Sequence, residues 1–112
     1  MVKEKEIENS ILQYLSLIKI GYFWKNNSTG VYDPTRKIFR KTKNPYLING
    51  VADIIGVVMG RIVMFEVKSK SGKQPPSQIE FEKNITENGG LYSVVRSIDD
   101  VRDCFISWGI KK

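Results

Sequence analysis

Val51-Ala52-Asp53-Ile54-Ile55-Gly56-Val57-Val58-Met59-Gly60-Arg61-Ile62-Val63-Met64-Phe65-Glu66-Val67-Lys68 is the stretch on which the reading of this chain turns. Residues 51–58 and 61–68 are rich in β-branched side chains and are separated by Met59-Gly60, which predicts a β-hairpin with a two-residue turn. Val58 then faces Arg61, and pairing runs outward rung by rung until Asp53 stands across from Glu66. Directly opposed strand side chains have Cβ atoms ~4.5–5.5 Å apart, and like charges there are destabilising unless something neutralises them. A divalent cation would do so, and oxygen ligands alone favour Mg²⁺ or Mn²⁺ over zinc. The same parity puts Lys68 on the face of Glu66. An ordinary cross-strand charge cluster on a solvated surface would use the same three residues. Their setting favours a site, because Glu66 and Lys68 end a strand otherwise built from Ile62, Val63, Met64, Phe65 and Val67, an apolar run that implies a buried central strand.

Downstream, residues 69–76 break the pattern as a loop, and Ser77 with Glu80 three residues on predicts a capping box for a helix running to about Asn88, ended by Gly89-Gly90. Gln78, Phe81, Glu82 and Ile85 share one face of that helix, which turns a long amide toward the sheet. There it serves either the site or a neighbouring loop. Residues 91–96 read as a further strand. Ser97, Asp99 and Asp100 open a last helix in which Val101, Cys104, Phe105 and Trp108 recur on one face and Gly109 supplies the end. Cys104 therefore reads as a core residue rather than a nucleophile.

Upstream, Ile7, Ile11, Tyr14, Leu15 and Ile18 form an apolar helical stripe with Gly21 as its stop, and Glu4 and Glu8 lie beside that stripe, where a solvated flank is the default. Tyr22-Phe23-Trp24-Lys25 reads as a short strand before the turn-forming Asn26-Asn27-Ser28-Thr29-Gly30. Residues 31–46 then hold two short strand-like pieces around Asp33-Pro34-Thr35-Arg36, a small projecting hairpin. It carries Arg36, Lys37, Arg40, Lys41 and Lys43 with Ile38 and Phe39 interleaved. This is either a solvated loop or a set of phosphate contacts, and the charge density favours the second. The order is α-β-β-β-α-β-α with the basic hairpin inserted, an α/β fold with a mixed sheet flanked by helices.

Composition bounds the chemistry. A chain of 112 residues, 41% hydrophobic and 27% charged, reads as one domain over residues 1–112 with an ordinary globular core. With no histidine and one cysteine there is no zinc-ligand set, no histidine-based triad and no disulfide framework, so carboxylates and lysines must carry any catalysis. The formal charge of +6 points to an anionic partner, nucleic acid first. No apolar run approaches the ~20 residues of a membrane span, and Met1-Val2-Lys3-Glu4-Lys5-Glu6 is too acidic for a signal peptide, so an intracellular protein is expected.

With these residues in view, the chain resembles the virus-type replication-repair nuclease domain, VRR-NUC, of the PD-(D/E)XK nuclease superfamily. The resemblance runs from Ile7-Glu8-x-x-Ile11, through Asn26-Asn27-x-x-Gly30 and Gly50-Val51-Ala52-Asp53, to Glu66-Val67-Lys68, Pro76-Ser77-Gln78 with Phe81, and Gly89-Gly90. It implies a restriction-endonuclease-like fold and an active site of Asp53, Glu66, Lys68 and Gln78, joined by a first-helix glutamate. Glu8 fits the Ile-Glu-x-x-Ile phrase, and Glu4 lies one turn earlier. Ala52 stands where the superfamily has proline, a departure that bears on turn geometry. By the same resemblance Asp53, Glu66 and the Val67 carbonyl, with Glu8 as a further ligand, would hold Mg²⁺ or Mn²⁺ against a scissile phosphate. The implied activity is metal-dependent endonucleolytic cleavage of branched or Holliday-junction DNA in replication, recombination or repair. The implied assembly is a homodimer, in the cytoplasm of a bacterial or phage-infected cell. The competing expectation is a basic, non-catalytic nucleic-acid-binding module on the same fold.

Overall fold

The structure, a computed structural model, describes residues 3–26, 31–33, 38–40, 46, 48 and 50–111. Its centre is the expected hairpin, β4 (Ile54–Val58) and β5 (Arg61–Val67), with Ile54 opposite Phe65 and Val58 opposite Arg61. Met59 and Gly60 both have positive φ, 50° and 82°, as the two-residue turn that matches strand twist requires. Glycine adopts this freely, whereas Met59 bears a steric cost while being 90% exposed.

Around the hairpin stand α1 (Glu4–Ile18), β1 (Tyr22–Lys25), β2 (Val31–Asp33), β3 (Ile38–Arg40), α2 (Pro76–Glu87), β6 (Leu91–Val95) and α3 (Ile98–Ser107). The main sheet has the order β1-β4-β5-β6, antiparallel across its first three strands and parallel between β5 and β6, with α2 in the crossover. β2 and β3 pair antiparallel as a separate two-stranded sheet, Val31 opposite Arg40. That is the inserted hairpin expected from the sequence. Its turn, residues 34–37, and the basic residues 41 and 43 lie outside the described residues.

Alternation along β5 builds a core on each face of the sheet. Val63, Phe65 and Val67 pack with Ile11 and Leu15 of α1 and with Val101 and Phe105 of α3. Met64 packs on the other face with Ala52, Phe81 of α2 and Tyr92 of β6. Phe65 is fully buried, with ring centroids of Phe23, Phe105 and Trp108 within 5.8 to 6.0 Å. Removing such a ring costs about 3–5 kcal/mol, a large part of a small domain's stability. Cys104 packs half-buried against this core, in keeping with a structural role.

Two expected end signals are used differently. α1 stops at Ile18 with Lys19 in the left-handed region, φ 53°, not at Gly21. Gly21 is instead small because a Cβ there would lie 2.5 Å from Val58 Cγ2 and 2.6 Å from the Val57 carbonyl. The capping box does not form. α2 begins at Pro76 after an extended Pro75, which places Ser77 inside the first turn, and the fixed φ of proline starts the helix without a side-chain cap. At its other end the Gly90 N–H donates to the Ile85 carbonyl (2.9 Å) and the Gly89 N–H to Thr86 (3.1 Å), the expected diglycine termination. Ser97 caps α3 as expected, its Oγ accepting from the Asp100 N–H at 3.1 Å. Among the described residues no helix is long and apolar enough to cross a membrane.

Candidate active site

Asp53 lies one position before β4, where the ladder stops, so its side chain does what the next backbone pair would have done. Asp53 Oδ2 accepts from the Val67 N–H at 2.8 Å, and the Asp53 carbonyl accepts from the Asn26 N–H at 2.8 Å. Continuing the observed register by one rung sets Asp53 against Glu66 on the face that carries Met64, as the two-residue turn dictates.

Glu66 is 1% exposed, in the middle of the sheet. The Asp53 carboxyl is within hydrogen-bonding reach of it, a bond that requires a proton between the two groups. Burial first, then this bond and the Asp53 charge, push the Glu66 carboxyl from an ordinary 4.5 up to about 9, with Lys68 pulling the other way. Lys68 Nζ lies 3.9 Å from Glu66 Oε2, an ion pair too long for a hydrogen bond, and the residue is 9% exposed. Glu66 Oε1 is buried and meets no donor. A buried acidic pair with an unsatisfied oxygen suits a hard cation. Among the described residues no three acidic, histidine or cysteine side chains gather around one point. The protein donors on offer are therefore two carboxylates and backbone oxygen, the sparse set with which Mg²⁺ keeps several waters.

A cavity of about 360 Å³ opens beside this pair, lined by Glu4, Lys5, Glu8, Lys25, Asp53 and Val67. Glu4 and Glu8 of α1 both face it. Glu8 is buried and pairs with Lys25 Nζ at 3.1 Å, while Glu4 Oε2 accepts from the Ser69 N–H at 3.4 Å, just beyond Lys68. The side chain that helical periodicity leaves on a solvated flank is thus held by a cation from β1. Sequence reasoning misses Lys25 itself, although strand alternation puts it on the side of Phe23, facing α1.

Gln78 sits half-buried on α2 with its Oε1 buried and without a partner, so the amide does turn inward. Two further residues shape the surroundings. Gln74 Nε2 donates to Glu82 Oε1 (3.0 Å) and to the Tyr92 hydroxyl (3.2 Å), and burial pushes the Tyr92 phenol up. Arg96 Nη1 donates to the carbonyls of Ser69 and Gly72 and fixes the loop that follows Lys68. An isolated arginine after a strand carries no sequence signal for this. Of the basic hairpin residues, Arg36, Lys37, Lys41 and Lys43 lie outside the described residues, and Arg40 is described by its backbone in β3 alone.

No family model matches the sequence, and no curated protein is significantly similar to it. Among solved structures the chain is similar to one described as a VRR_NUC domain protein, at 16% sequence identity and a TM-score of 0.69 over 94% of this chain and 86% of the other. At that identity the likeness is one of fold: the mixed sheet, its flanking helices and the central β4–β5 hairpin form the restriction-endonuclease-like fold of a VRR_NUC domain protein.

Proposed function

We propose that the chain is a metal-dependent endonuclease that hydrolyses phosphodiester bonds in branched DNA and acts as a homodimer. The observation that carries this reading is Glu66, a buried carboxylate with an unpartnered oxygen, set against Asp53 and overlooked by the Lys68 ammonium. The VRR_NUC likeness of fold supports it, and the +6 charge suits a polyanionic substrate.

Asp53, Glu66 and the Val67 carbonyl would hold Mg²⁺ or Mn²⁺, which supplies charge neutralisation at the phosphate and a more acidic water. Asp53 keeps its orientation through the Val67 N–H. Glu66 must release its proton for the pair to act as dianionic ligands. Lys68 orients the attacking water and offsets charge developing on the phosphoryl oxygens. Gln78, whose buried Oε1 lacks a partner, would offer an acceptor to a group bound against α2, and Glu8, neutralised by Lys25, closes the α1 wall without adding net repulsion toward phosphate. The basic residues 36, 37, 40, 41 and 43 bind the DNA backbone.

The test is cleavage of labelled linear, flap, splayed and four-way DNA with Mg²⁺, Mn²⁺ or EDTA, by the parent and by Asp53→Ala, Glu66→Ala and Lys68→Ala. Each substitution should lower the rate by at least ~100-fold while the circular dichroism and most of the DNA affinity persist. Full activity in EDTA, or unchanged cutting by Lys68→Ala, refutes the mechanism. Binding of every substrate with no cutting of any would leave a basic binding module.

A further inference from the structure

The sheet face that bears Glu66 is organised in cross-strand rows. Tyr22, Val57 and Ile62 stand side by side on β1, β4 and β5, and one step along the same face stand Trp24, Ile55 and Met64. The next step is the acidic pair, where the backbone of Asn26 meets Asp53. Burial increases toward the middle of the sheet and leaves the outer end bare. Tyr22 is 74% exposed, Val57 45% and Trp24 42%, whereas Met64 is covered by Phe81 of α2. The two rings lie 5.9 Å apart, tilted by 43°, so they do not stack on one another, and both are exposed.

Two exposed aromatic rings side by side on an edge strand offer a stacking surface, and three features bear on what occupies it. The rings share the face of the acidic pair, with Asp53 two residues before Ile55 along the chain that enters β4, a separation of ~7 Å. A strand whose phosphate reaches the acidic pair therefore brings the adjoining base over Trp24. Exposed Lys19, three residues before Tyr22, adds positive charge at the start of β1, whereas Lys25 lies on the α1 face and is paired with Glu8. The chain's net charge of +6 favours a polyanion over a second copy of itself on this surface. In a duplex the π-faces of the bases are already stacked, so only unpaired nucleotides can lie on the rings.

We infer that Tyr22 and Trp24 form a stacking platform for unpaired bases next to the scissile phosphate, so that the substrate class is DNA with a single-stranded segment at the cut. This rests on the reading of Asp53 and Glu66 as a DNA-cutting centre, and it deepens that reading by naming what the site selects.

Binding measured in EDTA tests the platform without cleavage. A thymine oligonucleotide and a duplex of equal length are titrated against the parent, Tyr22→Ala, Trp24→Ala and Trp24→Phe, with tryptophan emission and a fluorescent DNA label as readouts. Each alanine variant should weaken single-strand binding about 5- to 150-fold, as expected for the loss of one base–aromatic stack. Trp24→Phe should retain most of the affinity. Duplex affinity and the salt slope should hold, since no charge is removed. Unchanged single-strand affinity, or an equal loss on duplex, overturns the inference. So does a switch from dimer to monomer in sedimentation with single-strand binding intact, which would make this face a contact between copies. Selective loss of single-strand binding in a chain that cuts nothing with Mg²⁺ refutes the cutting centre and leaves the platform standing. Cleavage with no such loss does the reverse.

Discussion

Replacing Glu66 by glutamine should make the metal-free protein more stable at pH 8 and remove most of its pH dependence. The folded-state carboxyl stands at about 9 against an ordinary 4.5, raised first by burial and then by Asp53. Below pH 4.5 the group is protonated in both folded and unfolded chains, and there is no cost. Between pH 4.5 and 9 the unfolded chain gives up its proton while the folded chain keeps it, so stability falls by ~1.4 kcal/mol per pH unit, or about 4 kcal/mol from pH 5 to pH 8. The chain has no histidine, and burial pushes the Cys104 thiol up, so Glu66 dominates the titration between pH 5 and pH 8. Glutamine has the same shape and no proton to lose, and it can donate to Asp53. The assay is thermal unfolding by circular dichroism in EDTA at pH 5, 6, 7 and 8. At ~4–8 °C per kcal/mol for a domain near this size, the parent should lose several degrees with each pH unit and Glu66→Gln should not. Added Mg²⁺ should stabilise the parent more at pH 8 than at pH 6, because a cation bound to the pair displaces the proton. A parent melting temperature that stays level or rises across this window, or an equally steep fall in Glu66→Gln, would refute the reasoning.

Replacing Arg40 and Lys41 together by alanine should raise the dissociation constant for duplex DNA and lower the magnitude of the salt slope by ~0.9 for each phosphate the protein no longer neutralises, while cutting at saturating DNA stays near the parent rate. Salt-titrated binding alongside single-turnover cleavage checks this, and an unaltered slope rules the hairpin out. Met59→Asn should stabilise the protein by about 0.5–1 kcal/mol, since asparagine tolerates the positive φ that Met59 adopts with its side chain in solvent. Chemical denaturation with the m-value unchanged is the check.

The sequence makes the central hairpin legible because two constraints coincide there. β-branched composition marks the strands, and a two-residue turn leaves a single register, from which the pairing of Asp53 with Glu66 follows. The buried run around Phe65 marks β5 as the middle strand. Helix ends are harder to read, because several residues can end a helix and packing decides among them. Lys19 takes the left-handed position while Gly21 answers to the approach of Val58, and Pro76 starts α2 where the residue pattern predicts a serine cap. At the site, Glu66 and Lys68 on one face, and the inward turn of the Gln78 amide on α2, follow from strand and helix periodicity. Lys25, Gln74 and Arg96 do not, because Glu8, Tyr92 and Ser69, the groups they meet, are distant in the chain and come near only through tertiary structure.

The acidic pair sits at the open end of the β4–β5 ladder, as far from the Met59–Gly60 turn as the paired strands reach. A hairpin zips from its turn, so within this ladder Asp53 meets Glu66 last, while the parallel pairing of Glu66 and Val67 with β6 holds the other side. The repulsion of the two carboxylates is therefore met after the apolar rungs between Val58 and Phe65 have formed. Loosening this end gives up the Asp53 bonds to Val67 and Asn26 but none of the packing around Phe65. Parting the two carboxyls so that they can close on a ligand costs these two bonds and the one between the carboxyls themselves, and β6 keeps Glu66 in place while Asp53 moves.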